Sequence, residues 1–368
     1  VGIGQEKMAI PPPDEDIVTM GASAAQPILQ REGKDRIEML LFATESGIDQ
    51  SKAAGVFVHG LLQLPARCRT VELKEACYSG TAALQLAAAW VQAHPTSRVL
   101  VVAADVARYE LGSPGEPTQG CGAVAMLVTA PAAHSGARSR GRPLHGRRHG
   151  FLAAQLPRPG AGGRQIFHPR VPAGVAGLLA AVPGAIRPRL ADIHRFCYHL
   201  PFTRMAEKAH ERLAKASGAS PTDEQQEQQM GGTLRYNKRT GNSYAASLYV
   251  GLTCLLDTTA RICPASASAC SATAPAAWPS TSAACCSPAT ATTCSPPSHQ
   301  QLLEQRTELT FQQYEDIYQS GLSNRRGSAY LFPLSHGSVP AGRAWITSRG
   351  QTSTNDCTRR PHESNCTG

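Results

Sequence analysis

A chain of 368 residues with 42% hydrophobic and only 5% aromatic residues is long enough for two domains or one duplicated fold, and no run approaches the roughly 20 apolar residues of a membrane helix. The net charge of +9 raises nucleic-acid binding, but ten arginines and no acidic residue lie between 131 and 190, and without that stretch the balance is −1. Twelve unevenly spaced cysteines exclude a disulfide framework and offer no zinc-site spacing, which places the chain in a reducing, cytoplasmic setting.

In chain order, 16–30 carries helical spacing of apolar positions, 37–43 reads as a short buried strand, and 51–64 is again helical. Residues 70–73 form a strand leading to Cys77, followed by a helix to about Ala93. Strands at 99–104 and 123–128 flank a Gly- and Pro-rich loop at 112–122. This alternation predicts an α/β fold, a buried sheet covered by helices. Order returns at 190–216 and 236–256, where 241–249 reads as a small-residue helix. Between and after these islands, 134–189 is rich in Arg, Gly and Pro. Residues 262–298 carry no charge and hold five of the twelve cysteines, so both stretches are expected to be irregular.

Three chemistry-bearing side chains stand just beyond strand-like runs: Glu45, Cys77 and His199. Cys77, at a helix N-terminus, is expected to favour thiolate, because unpaired N–H groups and the macrodipole stabilise negative charge there. A nucleophilic sulfur, a carboxylate and an imidazole are the parts needed for acyl transfer coupled to carbon–carbon bond formation. Each has a plainer reading: a small buried cysteine, a solvated or capping carboxylate, a satisfied loop histidine.

The residues around these three, Lys74 to Thr81, Ala43 to Ser46 and Tyr198 to Met205, together with 2–20, 115–120, 191–208 and 236–252, resemble bacterial-type 3-hydroxy-3-methylglutaryl-CoA (HMG-CoA) synthase of the thiolase superfamily over about half the chain. The resemblance implies a five-layer αβαβα fold of two related halves. The first would be 1–130, and the second 190–368, interrupted at 262–298, with 131–189 as an aberrant segment. It implies condensation of acetyl-CoA with acetoacetyl-CoA, in the mevalonate route to isoprenoid precursors. Cys77 would carry the acetyl group, Glu45 act as general base and His199 stabilise the developing oxyanion. Thr118, Asn242 and Tyr109 would line the acyl site, and Lys208 approach a CoA phosphate. No metal or redox cofactor is implied, and a homodimer is expected.

Two breaks in the resemblance share one explanation. Degenerate codons for residues 146–175, read one base later, permit the aspartate–phenylalanine–tryptophan–arginine–proline run the family carries there. Residues 265–285, read from each third base, permit its tyrosine–glycine–serine–glycine turn. Both stretches are therefore expected to be out-of-frame translation, the tail after 328 giving a weaker signal of the same kind. The chain is also expected to lack the first strand of the family's core sheet. Competing readings are a catalytically inactive, frameshift-damaged homologue, another thiolase-fold condensing enzyme of the ketoacyl synthase III type, and a nucleic-acid binder acting through 134–189.

Overall fold

The computed structural model describes residues 2–130, 151–153, 195–262, 270–275, 280–286, 297–323, 345–346 and 352–353. Helix α1 (Ile17–Glu32) starts where Asp16 accepts from the backbone N–H groups of Val18 and Thr19, while the Thr19 hydroxyl closes the reciprocal cap. Strand β1 (Ile37–Ala43), helix α2 (Ala54–Leu62), strand β2 (Arg69–Leu73), helix α3 (Ser79–Ala93), strand β3 (Arg98–Ala107) and strand β4 (Gly120–Thr129) follow. The sheet order is β2-β1-β3-β4, the first three strands parallel and β4 antiparallel to β3.

Period-two alternation sorts the side chains of this sheet onto two faces. Phe42, Leu100, Val102 and Ala104 pack with α1 and α2, while Leu41, Ala43, Val99, Val101 and Ala103 face α3. α3 is lined by alanines, Ala83 and Ala87, so its backbone lies close to the sheet. Its other side meets the second part of the chain. A Cβ on Gly80 would stand 2.7 Å from the Ala245 carbonyl, so no larger residue fits there.

The second part opens with the extended segment 195–200, then helix α4 (Thr203–Ala216) and helix α5 (Asp223–Gln226). A π-turn (Glu227–Gly231) leads into helix α6 (Gly232–Thr240), a 3₁₀ turn (Tyr244–Ala246) and helix α7 (Ser247–Ile262). The expected continuous helix over 241–249 is therefore corrected. Gly241, at φ +77°, ends α6 against the backbone of Gln119, and the chain turns before α7 begins.

Short strands occur within the two stretches expected to be irregular. Strands β6 (Cys270–Pro275) and β7 (Ser280–Cys286) pair antiparallel, with β5 (Phe151–Ala153), inside the first irregular stretch, on the other side of β7. Uncharged Ala, Ser and Thr residues do not oppose a ladder, and their backbone groups need partners. The remainder of 134–189, the other residues of 263–296 and most of the tail lie outside the described residues. Helices α8 (Pro297–Glu304) and α9 (Phe311–Ser323) and the short pair β8 (Trp345–Ile346) and β9 (Thr352–Ser353) complete the described chain. Among the described residues, no helix is long and apolar enough to cross a membrane.

Candidate active site

β1 and β2 run parallel and end side by side, Ala43 opposite Leu73, so the segments that leave them emerge at one edge. The first carries Glu45 and the second Cys77, and the Cys77 thiol donates to Glu45 Oε1 at 3.1 Å. The turn before α3 is tight: Ala76 sits at φ +46°, a conformation costing a non-glycine residue of order 1–3 kcal/mol. The Ser79 amide and hydroxyl both donate to the Ala76 carbonyl and hold that geometry.

Asp105, fully buried on β3, organises the pocket wall. Its Oδ1 accepts from the Thr44 hydroxyl at 2.7 Å, the Glu45 amide at 2.8 Å, and the Ser46 amide and hydroxyl at 2.9 and 2.7 Å. Its Oδ2 accepts from the Ala245 amide at 2.9 Å. One carboxylate thus ties the Glu45 loop to the 3₁₀ turn of the second part. Sequence reasoning missed it, although an aspartate inside the apolar run Val101 to Val106 was the available signal.

Charge follows from this crowding. Burial, and then the nearby Asp105 carboxylate, push Glu45 up to about 6, against the opposing pull of the Cys77 hydrogen bond. The expectation that Cys77 rests as thiolate is corrected: burial raises its thiol strongly, with Glu45 and Asp105 adding to the effect. The dipole of α3 is outweighed by desolvation beside two carboxyl groups. The resting pair is a thiol donating to a carboxylate.

Tyr109 and Tyr244 face this pair. Their rings meet edge to face at 6.4 Å, and burial raises both phenols, with Cys77 and Glu45 among the groups acting on each. Tyr244 also holds a left-handed backbone, φ +38°, with its amide donating to Asn242 Oδ1 at 2.9 Å. The Asn242 amide donates to the Thr118 carbonyl at 3.2 Å, so these two predicted residues are neighbours. The Thr118 hydroxyl is committed to the Gly115 carbonyl at 2.7 Å.

His199 lies in the segment 195–200, which has no helix or strand assignment, and the residues before 195 lie outside the described residues. It is buried, neither ring nitrogen has a hydrogen-bond partner among the described residues, and burial lowers it to about 4, so it is neutral. The segment is pinned on both sides. The Leu200 carbonyl accepts from the Ser247 hydroxyl, and the Tyr198 hydroxyl bonds His210 Nδ1 at 2.8 Å. Behind it, Cys197 packs with Leu248 and Tyr249, and the Tyr249 hydroxyl reaches Thr81 of α3 at 2.7 Å. Lys208 is exposed on α4, without a hydrogen bond or ion pair to the Cys77 pocket among the described residues. No cluster of metal-ligating side chains occurs among those residues.

Residues 1–133 match the family described as hydroxymethylglutaryl-coenzyme A synthase N terminal. The chain is 41% identical over 269 residues to the hydroxymethylglutaryl-CoA synthase of Enterococcus faecalis, covering 70% of this chain and 67% of that one. It is 41% identical over 138 residues to the polyketide biosynthesis 3-hydroxy-3-methylglutaryl-ACP synthase PksG of Bacillus subtilis, where it spans a third of the relative's length. A solved HMG-CoA synthase complexed with CoA superposes with a TM-score of 0.67 at 28% identity, covering 95% of this chain and 86% of that one. MvaS in complex with 3-hydroxy-3-methylglutaryl coenzyme A gives 0.65 at 25% identity, covering 96% and 91%. The mixed α/β architecture is that of the thiolase-fold synthases. With the thiol–carboxylate pair standing on the residues that carry the resemblance, the chain belongs to the hydroxymethylglutaryl-CoA synthase family.

Proposed function

We propose that this chain condenses acetyl-CoA with acetoacetyl-CoA, giving HMG-CoA and CoA, through an acetyl group carried on Cys77. The observation that carries the reading is the direct contact between the Cys77 thiol and the Glu45 carboxylate. Glu45 takes the thiol proton as sulfur attacks the acetyl carbonyl and returns it to the departing CoA thiolate. It is then a free carboxylate again, beside the methyl group of acetyl-Cys77. A base near 6 suits removal of that weakly acidic proton at neutral pH, being both ionised and unusually basic for a carboxyl group.

The resulting carbanion attacks the ketone carbon of acetoacetyl-CoA. A neutral His199 donates one N–H to the ketone oxygen as charge develops, and protonated Glu45 returns its proton to that alkoxide. The lack of a hydrogen-bond partner on the buried His199 ring among the described residues supports this role, since its N–H is left for a polar group of the substrate. Water then releases the product from sulfur as a carboxylate and restores the thiol. Tyr109, Thr118 and Asn242 shape the acyl pocket, and Lys208, free to move in solvent, pairs with CoA phosphate. No cofactor enters any step. The free thiols Cys68, Cys77, Cys121 and Cys254 suit a reducing cytoplasm.

Among the described residues strand β2 ends the sheet order and leaves Val71 45% exposed, while Leu86 on α3 is 53% exposed. Such an edge calls for a partner, and a second copy of the chain pairing there would make the dimer. Sedimentation of Val71→Lys as a monomer, where the unaltered chain is a dimer, would support this; equal mass for both would exclude β2 as the interface. The condensation itself is tested by mass spectrometry of products from acetyl-CoA and acetoacetyl-CoA. HMG-CoA formed by the chain and lost in Glu45→Ala is the expected result; free CoA without HMG-CoA would overturn it.

A further inference from the structure

Helix α9 reaches back over the loop between β3 and β4 with two tyrosines one turn apart, Tyr314 and Tyr318, which are 4% and 8% exposed and touch edge to face at 6.1 Å. The Tyr314 hydroxyl donates to Glu116 Oε1 at 2.8 Å and accepts from Gln119 Nε2 at 2.8 Å. The other end of that amide, Gln119 Oε1, accepts from the Tyr109 backbone N–H at 2.5 Å. The Tyr318 hydroxyl donates to the Tyr109 carbonyl at 2.6 Å. Both backbone polar groups of Tyr109 are therefore held by one connected network whose far end is α9. Beneath the ring, a Cβ on Gly115 would stand 3.1 Å from Tyr109 Cγ, so the loop closes tightly on the phenol.

We infer that α9 is a positioning element for the acyl pocket, with Tyr314 and Tyr318 setting where Tyr109 stands against Cys77 and Glu45. This rests on reading that pair as the acyl-transfer site. Neither tyrosine touches the thiol or the carboxylate through any hydrogen bond among the described residues; each acts through Tyr109, Tyr318 directly and Tyr314 by way of Gln119. Removing the Tyr318 hydroxyl leaves the Tyr109 carbonyl without its donor, and removing that of Tyr314 frees the Gln119 amide to rotate away. In either case the phenol is displaced while the thiol–carboxylate contact stays intact. Small displacements of pocket walls are costly in reactions that depend on orientation.

The test is a double-mutant cycle together with a spectroscopic readout that needs no turnover. Tyr318→Phe and Tyr314→Phe are each expected to lower condensation about tenfold when Tyr109 is present. Neither should lower it further in a Tyr109→Ala background. With 3-fluorotyrosine at position 109, both substitutions should shift the fluorine resonance of that residue. Equal losses in the two backgrounds, or an unmoved resonance, would overturn the inference. A chain that forms no HMG-CoA but shows the fluorine shift would sink the proposed activity and leave the positioning role standing.

Discussion

Replacing Asp105 with asparagine keeps the side-chain shape and removes one charge from the centre of the site. The retained oxygen can still accept from Thr44, Glu45 and Ser46, as Asp105 Oδ1 does. The new amide, however, points a donor at the Ala245 N–H, which Asp105 Oδ2 accepts at 2.9 Å. A buried charge-assisted bond becomes a donor facing a donor, a cost of about 1.5–3 kcal/mol. Because that bond ties the Glu45 loop to the turn holding Tyr244, the loss falls on pocket geometry and slows condensation by about ten- to a hundredfold. A second consequence separates this from general damage. Asp105 is one of the groups raising Glu45, so D105N moves the acid limb of the rate profile to lower pH. Condensation rates across pH, with denaturant unfolding in parallel, read both effects. A slower enzyme whose acid limb is unmoved would refute the reasoning.

In the unaltered chain, condensation needs Glu45 as carboxylate, so activity should be present above about 6 and fall as pH drops through it; a limb near the ordinary value of 4.5, read from initial rates, would contradict the assigned environment. His199→Leu should abolish condensation yet leave the denaturant midpoint equal or higher, because it removes two buried nitrogens that have no partner among the described residues; a loss of several kcal/mol in unfolding experiments would show that the ring is structurally committed. Sequencing the coding DNA should show an open +1 frame across codons 146–175 that encodes the aspartate–phenylalanine–tryptophan–arginine–proline run. A stop codon there removes the out-of-frame explanation.

The sheet and the reacting pair were legible because they rest on local pattern. Apolar runs at 37–43 and 99–104 could only be buried strands, and Glu45 and Cys77 follow strands that pair in parallel. What escaped depends on contacts distant in sequence. Asp105 draws its meaning from Ala245, 140 residues away, and Tyr318 from Tyr109, 209 residues away. The charge state of Cys77 is set by burial and two carboxyl groups, distant in sequence, that outweigh the helix dipole. The break at Gly241 arose from its close packing on Gln119, which small-residue composition alone does not reveal.

The account stands on sulfur as the acyl carrier. Incubation of the unaltered chain with acetyl-CoA alone, followed by peptide mass spectrometry, should find the acetyl group on Cys77 and on none of Cys68, Cys121, Cys197 or Cys254, which are buried. An unlabelled Cys77, or a label on another thiol, would contradict it.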